Sequence, residues 1–284
     1  MASLSIEPLT PTIGARIGGL DLTSPIPATA REEIRRALLD HLVVFVGGQS
    51  TTPARFKDLA MSFGRLEMPP SYLRSLSADE PEIHFVDYDG SQPRGSYADV
   101  WHADVTFMES PPLGSVLTPV QIPTLGGDTL WANMYAAYEA LSPQMQRFLD
   151  GLEAEHALPG VHKTVGRNDD PIVGAVHPVV RVHPETGRKS IFVNAIFTRR
   201  IVGIDIEESR QLLDMLYRHC SAPEFQVRWR WAMGDIAIWD NRCTLHYGVV
   251  DYRERRILQR IVLKGDRPKG VEPTHLTASA LVSS

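Results

Sequence analysis

The 284-residue chain is predicted to be mainly β (α+β), with an antiparallel sandwich or barrel at its core and helices packed outside it. Three observations favour this fold class. Strand-like segments dominate the second half of the chain, no βαβ rhythm of a parallel sheet is present, and 21 glycines with 21 prolines indicate many turns. Because no internal repeat or low-complexity linker interrupts the sequence, we expect a single domain over residues 1–284, with a frayed tail after about residue 270.

Four helix starts can be identified from capping chemistry. Thr29-Ala-Arg-Glu32 has the pattern of a capping box, and Asp205-Ile-Glu-Glu208 has an acidic cap with the same spacing. Thr52 and Ser142 are each followed directly by proline, which is favoured in the first turn of a helix. Apolar residues at helical spacing follow each start, so four amphipathic helices are predicted.

The strand predictions rest on short apolar or alternating runs bounded by polar turns. Phe225-Gln-Val-Arg-Trp-Arg-Trp231 alternates strictly, which predicts one buried and one exposed face. The other predicted strands cover Leu42–Val46, Ile191–Ile196, Ile236–Trp239 and Ile257–Val262.

Composition and charge narrow the class of function. The net charge is −5 and there is no basic stripe, which argues against nucleic acid as a partner. No apolar run approaches the roughly 18–20 residues of a membrane span, and the first residues lack the features of a secretion signal. Cys220 and Cys243 are too few for a disulfide framework, so free thiols and a cytoplasmic location without a membrane partner are expected.

The strongest chemical signal is a His-x-Asp triplet with a distant histidine. His102 and Asp104 lie within Trp-His-Ala-Asp-Val-Thr-Phe, and His246 lies within Trp-Asp-Asn-Arg-Cys-Thr-Leu-His-Tyr. On a strand, side chains two residues apart share a face, so His102 and Asp104 could bind one ion. Two imidazoles and one carboxylate are typical of a non-haem iron(II) site with open positions for dioxygen. The triplet alone is a weak signal, and its context is needed.

That context is a pair of arginines after His246. Arg256 and Arg260 are four residues apart on a predicted strand and therefore on one face. A guanidinium there could bind the far carboxylate of a keto acid that chelates the iron. Thr129, within Gly126-Gly-Asp-Thr-Leu-Trp131, offers a hydroxyl to the same anion, although this segment alone would be an ordinary turn entering a strand. The remaining histidines and Cys243 are interpreted as structural.

These motifs together resemble the taurine dioxygenase family of iron(II)- and 2-oxoglutarate-dependent oxygenases, which includes 2,4-dichlorophenoxyacetate dioxygenases and alkylsulfatases. The resemblance runs from about Ile13 to Pro268 and includes the two metal motifs, Gly-Gly-Asp-Thr-Leu-Trp, His-Pro-Val-Val-Arg-Val-His-Pro-Glu-Thr-Gly and the alternating strand. It implies a double-stranded β-helix, or jelly roll, with flanking helices. It further implies Fe(II), with 2-oxoglutarate and O2 as co-substrates, and a homo-oligomer, dimer or tetramer.

The resemblance also assigns roles to individual residues. His102, Asp104 and His246 match the catalytic metal ligands, whereas Arg256 and Thr129 match the residues that bind 2-oxoglutarate. Substrate-pocket positions are matched by four further residues, Arg260, Tyr72, Val105 and Phe197. Arg260 corresponds to the arginine that binds the sulfonate of taurine in the taurine enzyme.

Two departures from the taurine enzyme concern its substrate. Pro69 replaces a histidine that helps to hold the sulfonate, and Ala98 replaces an asparagine near the amine. Each unpaired polar group of a bound substrate costs roughly 1–3 kcal/mol. The implied activity is therefore hydroxylation of a less polar small anion, such as a sulfonate, alkyl sulfate or aryloxy or carboxylic acid, with release of succinate and CO2.

Several alternatives remain open at this stage. Within the enzyme class they are taurine dioxygenase proper and a biosynthetic hydroxylase of an amino-acid-like metabolite. Outside it are a zinc hydrolase, for which Arg256 and Thr129 would have no purpose, and a catalytically silent jelly-roll binding protein, which the intact triad disfavours. A halogenase is disfavoured because Asp104 is retained where a halogenase has a small residue.

Overall fold

The computed structural model describes residues 4–69, 74–89, 97–158 and 174–272. Within these ranges the longest sheet has eight strands, of which seven follow the order β1-β2-β3-β14-β6-β16-β4 while β5 pairs with β16. Its strands are β1 (Ser5–Pro8), β2 (Ala15–Gly18), β3 (Val43–Val46), β4 (Leu66–Glu67), β5 (His84–Tyr88), β6 (Gly114–Gln121), β14 (Ile236–Asp240) and β16 (Arg256–Leu263).

Three smaller sheets have three strands each in the described part of the chain. The sheet that faces the long one has the order β13-β7-β15 and consists of β7 (Thr129–Asn133), β13 (Gln226–Trp229) and β15 (Thr244–Gly248). The other two are β12-β8-β9 and β11-β10-β17, with β8 (Glu153–Ala157), β9 (Gly174–Pro178), β10 (Val180–Val182), β11 (Lys189–Ile191), β12 (Thr198–Ile201) and β17 (Lys269–Gly270).

Alternate residues of the long sheet enter two different cores. On one face, Val44 and Ile238 pack in a cluster with residues of the first two helices, α1 (Ala28–His41) and α2 (Pro53–Met61). On the other face, Phe45 and Trp239 pack against the small facing sheet, where Phe45 stacks on Trp229 with ring centroids 4.1 Å apart. Two facing sheets with helices outside form the predicted jelly-roll core.

The remaining helices cover the outside of the smaller sheets. They are α3 (Met134–Glu139), α4 (Pro143–Asp150) and α5 (Ile206–Cys220). Buried side chains of α5 such as Leu213 and Leu216 share a cluster with Val180 and Ile191 of the β11-β10-β17 sheet. No helix among the described residues combines the length and the apolar character needed to cross a bilayer.

Three of the four predicted helix starts are confirmed. The hydroxyls of Thr52 and Ser142 accept from backbone N–H groups of the first turns of α2 and α4, and Asp205 and Glu208 form the capping box of α5. The predicted capping box at Thr29 is wrong, because α1 begins two residues earlier than that box implies, at Ala28 with Pro27 at the N-cap. The first helical bond runs from Arg31 N to Pro27 O, which places Thr29 inside the first turn.

Most strand predictions are confirmed, but two are too long. Of the segment Phe225–Trp231, only Gln226–Trp229 is a strand. The segment Ile191–Ile196 is a strand only up to Ile191. Asn194 ends it, because its Oδ1 accepts from the N–H groups of Ile196 and Phe197 at 3.2 and 2.9 Å and thereby forms a side-chain-closed turn. The strict alternation in the segment from Phe225 is confirmed, with Val227 and Trp229 buried and Arg228 exposed. The tail predicted to be frayed lies, from residue 273 onward, outside the described residues.

Candidate metal centre and co-substrate cavity

A cavity of about 440 Å³ lies between the long sheet and the small facing sheet. Strands β5, β6 and β16 form one wall and β7 and β15 the other. All the predicted site residues within the described ranges line this cavity: His102, Asp104, Val105, Thr129, Phe197, His246, Arg256 and Arg260. Tyr72 lies outside the described residues. Ala98 also lines the cavity, whereas Pro69 is not among its described lining residues.

His102, Asp104 and His246 meet at one end of the cavity. Asp104 Oδ1 is 3.9 Å from His102 Nε2 and 3.6 Å from His246 Nε2, and one potential ligand atom of each residue lies within 4.8 Å of the others. All three residues are buried. Two imidazole nitrogens and a carboxylate oxygen at this separation fit a single divalent ion such as iron(II).

The prediction that His102 and Asp104 come together because they lie on one face of a strand is wrong. They do not lie on a regular strand, because only His102 forms a bridge, with His246, and the chain then enters a turn. In that turn Val105 has a φ of 41°, an unusual conformation for a β-branched residue. The bridge brings the two histidines together, with ring centroids 4.1 Å apart, and the turn directs Asp104 back towards them.

Hydrogen bonds fix the orientation of one ligand ring. The Nδ1 atom of His102 is 2.7 Å from the carbonyl oxygen of Val100. Since a carbonyl can only accept, Nδ1 carries the proton and the Nε2 lone pair is left for a metal. Burial lowers the pKa of His102, and burial together with His102 lowers the pKa of His246 to about 3. Both rings are therefore neutral at neutral pH, which is the form that binds metal.

The carboxylate of Asp104 is shared between the metal side and Arg260. Its Oδ2 accepts from Arg260 Nη2, and Arg260 also donates to Ser115 Oγ, from Nε at 3.1 Å and from Nη2 at 2.7 Å. Burial alone would raise the pKa of Asp104, but the charge of Arg260 and the two nearby histidines outweigh it and hold that pKa well below its ordinary value. Asp104 is therefore an anion at every physiological pH.

The backbone of Asp104 is held by Asn241, a residue that sequence analysis did not single out. Asn241 Oδ1 accepts from Asp104 N at 2.7 Å, and Asn241 Nδ2 donates to Asp104 O at 3.3 Å. Asn241 lies in the turn between β14 and β15, so the same turn that leads to His246 also holds Asp104. The pattern Trp-Asp-Asn-Arg contains this residue, but its spacing gives no sign of the contact.

Arg256 and Thr129 meet at the other end of the cavity. Arg256 Nη2 donates to Thr129 Oγ1 at 3.2 Å, and Trp231 Nε1 donates to the same oxygen at 3.0 Å. Both neighbours of the hydroxyl are donors only, so the Thr129 O–H is free to donate in turn. An acceptor for the Thr129 O–H could lie in the cavity.

Arg256 is a buried cation without a carboxylate partner among the described residues. Only 4% of its surface is exposed, and its Nε atom is buried without a hydrogen bond. Burial lowers the pKa of its guanidinium. The nearby Asp128 carboxylate pairs instead with Arg228, with Nε 2.6 Å from Oδ2. An unpaired buried charge is costly, so this end of the cavity is built for an anion.

Two other buried histidine clusters support the structure of the site. His156 Nδ1 and Asn194 Nδ2 each lie 2.9 Å from Thr106 Oγ1, and His177 Nε2 lies 2.9 Å from the carbonyl of Met108. They therefore hold the turn that follows Asp104.

The second group with metal-ligand geometry is His183, Asp240 and Cys243, all buried. Asp240 is already bound by Arg242 through Nε at 2.8 Å and Nη2 at 2.5 Å, and burial raises the pKa of the Cys243 thiol well above its ordinary value. A neighbouring guanidinium and a protonated thiol disfavour a cation, so this cluster stabilises the turn that contains Asn241.

The chain is similar to known proteins over nearly its whole length. The sequence model of the family described as "Taurine catabolism dioxygenase TauD, TfdA family" matches residues 5–262. An alpha-ketoglutarate-dependent sulfate ester dioxygenase of Pseudomonas putida is 35% identical over 283 residues, which cover 95% of this chain and 92% of that protein.

Solved structures show the same likeness over the whole fold. A taurine dioxygenase from Burkholderia xenovorans has a TM-score of 0.84 and 36% identity, covering 95% of this chain and 92% of that one. AAD-2, solved in complex with Mn(II) and N-oxalylglycine, has a TM-score of 0.77 and 26% identity, covering 94% of this chain and 99% of that one.

Proposed function

The chain belongs to the taurine catabolism dioxygenase TauD/TfdA family and is an iron(II)- and 2-oxoglutarate-dependent dioxygenase, and we propose that it hydroxylates a small organic monoanion with an apolar body. The observation that carries this proposal is the distribution of charge around the cavity. Arg256 makes one end of the cavity cationic, and a second cation, Arg260, lies beside Asp104 at the other end.

His102, Asp104 and His246 would hold the iron. Their buried position, the neutral imidazoles and the anionic carboxylate fit this ion, and the positions facing the cavity are left for small ligands. When bound, iron(II) together with 2-oxoglutarate supplies the activation of dioxygen that places a hydroxyl group on a substrate C–H bond, with release of succinate and CO2. The protein binds and orients the two organic molecules and keeps the cavity dry.

Arg256 and Thr129 would bind the far carboxylate of 2-oxoglutarate. Arg256 has an unpartnered buried Nε, and Thr129 has an O–H that neither neighbour can accept. A carboxylate oxygen could accept from each, and these charge-assisted hydrogen bonds would relieve the cost of burying the guanidinium. The apolar surroundings strengthen the preference, because water competes poorly there.

Charge balance favours an anionic substrate. Iron(II) brings two positive charges, which the two negative charges of 2-oxoglutarate balance. The negative charge of Asp104 balances the positive charge of Arg260. The positive charge of Arg256 is then left uncompensated. Asp87 also borders the cavity, but it is paired with Arg255, with Nε 2.9 Å and Nη2 2.6 Å from its two oxygens. One positive charge therefore remains in a buried space, where a monoanion would be stabilised and a neutral molecule or zwitterion would not.

The rest of the cavity is apolar and suits a hydrocarbon or aromatic body. Val86, Leu117, Phe197 and Leu258 line it, and Ala98 offers no hydrogen-bonding group. An alkyl sulfate, alkanesulfonate or aryloxy acid has this combination of an anionic head and an apolar body. Taurine and amino-acid-like metabolites add an ammonium group for which the described lining offers no carboxylate beyond Asp104 and the paired Asp87.

We also propose the wider context in which the enzyme works. The chain is expected to act as one domain within a homo-oligomer, a dimer or tetramer, on a freely diffusing small molecule rather than on nucleic acid or a membrane. The resemblance supports the oligomer, and the net charge of −5 supports the absence of nucleic acid. The two buried free thiols, Cys220 and Cys243, are in keeping with a cytoplasmic location.

The proposal is tested by succinate release from 2-oxoglutarate with iron(II) and four probes: hexyl sulfate, phenoxyacetate, taurine and uncharged hexanol. We expect hexyl sulfate or phenoxyacetate to give a kcat/KM at least tenfold above both taurine and hexanol. In the variant Arg256→Leu the KM for 2-oxoglutarate should rise by about a hundredfold, the range expected for losing a buried charge-assisted contact.

The matched control for that variant is Arg253→Leu, which removes an exposed guanidinium three residues away and should leave the KM for 2-oxoglutarate unchanged. A preference for hexanol, an unchanged KM in Arg256→Leu, or turnover with zinc in place of iron would each contradict the proposed function.

A further inference from the structure

A buried histidine lines the cavity next to Arg260, its direct partner on the neighbouring strand. It is His84, at the start of β5, and it is not part of the metal-ligand set, the co-substrate end or the support clusters described above. We infer that His84 and Arg260 together form the subsite for the anionic head of the substrate, with His84 donating a hydrogen bond to one of its oxygens. This inference rests on the proposed function and adds to it a residue that determines specificity.

The strand register places the two side chains together. Strands β5 and β16 are antiparallel, and His84 pairs directly with Arg260, Val86 with Leu258 and Tyr88 with Arg256. Members of such a pair project from the same face with Cβ atoms roughly 5 Å apart. All six residues line the cavity, so the face carries a polar pair at each end and an apolar pair between them. The Tyr88 end is the co-substrate end, and the His84 end adjoins the metal centre.

Arg260 alone cannot satisfy an anionic head group. Its Nη2 is bound to Asp104 and Ser115, and its Nε is bound to Ser115. Only Nη1 makes no hydrogen bond with the described residues, so Arg260 presents at most two N–H groups to a substrate. A sulfate or sulfonate has three terminal oxygens and a carboxylate has two, each able to accept more than one bond. A second donor beside Arg260 is needed to bind such a head without leaving buried oxygens unpaired.

His84 has the free donor that this arrangement lacks. The residue is 3% exposed, and its Nδ1 is sealed from solvent without a partner. Its Nε2 makes no hydrogen bond with the described residues either, and since His84 lines the cavity, Nε2 is the ring nitrogen available to a ligand there. Because an orphaned buried N–H is rarer than an orphaned acceptor, the favoured tautomer has its proton on Nε2. The N–H is then available to an acceptor in the cavity, where Arg260 is the cross-strand neighbour of His84.

The neutral state of His84 is consistent with this role. Burial, together with the charge of Arg260, lowers the pKa of His84 to about 4. The ring therefore adds a hydrogen-bond donor to the subsite at neutral pH without adding a charge, so the cavity still carries one uncompensated positive charge and still favours a monoanion. The subsite selects for acceptor atoms as well as for charge.

The test measures binding in the protein loaded with Mn(II) and N-oxalylglycine, so that no turnover occurs. The Kd values of hexyl sulfate, phenoxyacetate and hexanol are determined by calorimetry for the wild type, His84→Leu, His84→Gln and the control His41→Leu, which alters a histidine at the end of α1. Leucine removes the donor at similar volume, whereas glutamine keeps an N–H group near the position of Nε2.

We expect His84→Leu to weaken the binding of hexyl sulfate at least tenfold and to leave hexanol within twofold of the wild type. His84→Gln should retain binding within about threefold, and His41→Leu should match the wild type for both ligands. A merely structural role of His84 would change both ligands together, so the ratio between them is the informative quantity. Thermal midpoints of all variants identify any general loss of folding.

Three outcomes distinguish the inference from the proposed function. If the wild type prefers hexyl sulfate to hexanol but His84→Leu preserves that preference, the role of His84 is overturned and the function stands. If the wild type binds hexyl sulfate no better than hexanol, and phenoxyacetate no better either, both are overturned. If His84→Gln loses the preference as fully as His84→Leu while remaining folded, donation by His84 is overturned.

Discussion

At the scale of single residues, the position of Asp104 depends on two neighbours that bind no metal. Arg260 holds one oxygen of its carboxylate, and Asn241 holds the peptide groups on both sides of its Cα atom. The carboxylate is thus fixed at its end and at its base, so that Oδ1 is directed towards the two imidazoles. Partners of this kind typically change metal affinity by 10- to 100-fold when they are removed.

The substitution Asn241→Ala tests this support. It leaves the buried N–H of Asp104 without an acceptor and frees the turn, so we expect the affinity for Mn(II) to fall by about tenfold or more, together with a loss of about 1–3 kcal/mol in the free energy of unfolding. Metal affinity is measured from the electron paramagnetic resonance signal of free Mn(II).

The matched control is Asn133→Ala, which removes a buried amide that caps α3 and touches none of the ligands. It should lower stability and leave the affinity for Mn(II) unchanged. Equal affinities in the two variants would show that Asn241 has no specific role at the metal centre.

The sequence identified residues whose chemistry is distinctive and missed those whose importance depends on contact. His102, Asp104, His246, Arg256 and Arg260 could be selected because their types and spacing suggest an ion and an anion. His84 and Asn241 could not, because a lone histidine on a strand and an asparagine in a turn have no distinctive pattern. The departures at Pro69 and Ala98 predicted a less polar substrate, and they gave no sign that His84 of β5 also lines the cavity.

At the scale of elements, one strand and one turn set the length of the cavity. Strand β16 carries Arg256 and Arg260 on the same face, with Leu258 between them, and so fixes the distance from the metal centre to the co-substrate end. The pairing of β16 with β6 shifts register between Ile257 and Leu258, directly after Arg256. The turn before β7 then packs against the Arg256 side chain.

Gly127 in that turn lies against Arg256. It has a φ of 71°, and a Cβ atom there would be 3.1 Å from Arg256 Cδ and 3.3 Å from its Nε. The variant Gly127→Ala should displace the guanidinium and raise the KM for 2-oxoglutarate by about tenfold, with a smaller change in kcat, because a shifted carboxylate anchor affects binding first. Steady-state succinate release gives both constants.

Gly48→Ala is the control for backbone strain. Gly48 has a φ of 67°, and a Cβ atom there would meet nothing within 4 Å. Both variants should lose about 1 kcal/mol of stability through the positive φ, but only the change at Gly127 should alter the KM. A similar KM in both would mean that the turn does not position Arg256.

Local signals predicted three of the four helix starts but missed the start of α1 and the end of β11. The caps at Thr52, Ser142 and Asp205 were predictable because each cap is made within one turn of the helix. The start of α1 was not, because Pro27 precedes the apparent capping box and already has the extended backbone of an N-cap residue, with a ψ of 151°. The strand after Lys189 ended early because the Asn194 side chain closes a turn, which outweighs the apolar character of its neighbours.

At the scale of the whole molecule, the antiparallel sandwich was predictable from strand content, but the position of the cavity was not. The cavity depends on which strands face each other across the two sheets, and β5, β6, β7, β15 and β16 come from distant parts of the chain. Such non-local pairing leaves no trace in a window of sequence. For the same reason, the surroundings of the buried imidazoles could not be predicted from the sequence and are known only from the structure.

Five of the buried histidines have a lowered pKa, which makes stability sensitive to acid. Burial is the largest cause that lowers the pKa of each: to about 4 for His84, to about 3 for His156 and His246, and below the ordinary value for His102 and His177. The unfolded chain, in which a histidine titrates near 6.5, binds more protons than the folded chain below that pH. The contribution of these neutral rings to the free energy of unfolding is therefore fully present above about pH 6.5, and it is lost as the pH falls from there towards 4 and then 3.

The metal-free protein should show this dependence in urea denaturation between pH 7.5 and pH 4.5. His84, His156 and His246 each contribute a slope approaching about 1.4 kcal/mol per pH unit, so the free energy of unfolding should fall steeply once the pH drops below 6. His156→Gln replaces one titrating ring with an amide and should reduce the slope by about that amount, whatever its effect on stability at pH 7.5. A slope equal to that of the wild type would show that His156 is protonated in the folded state, contrary to its sealed position between Thr106 and His177.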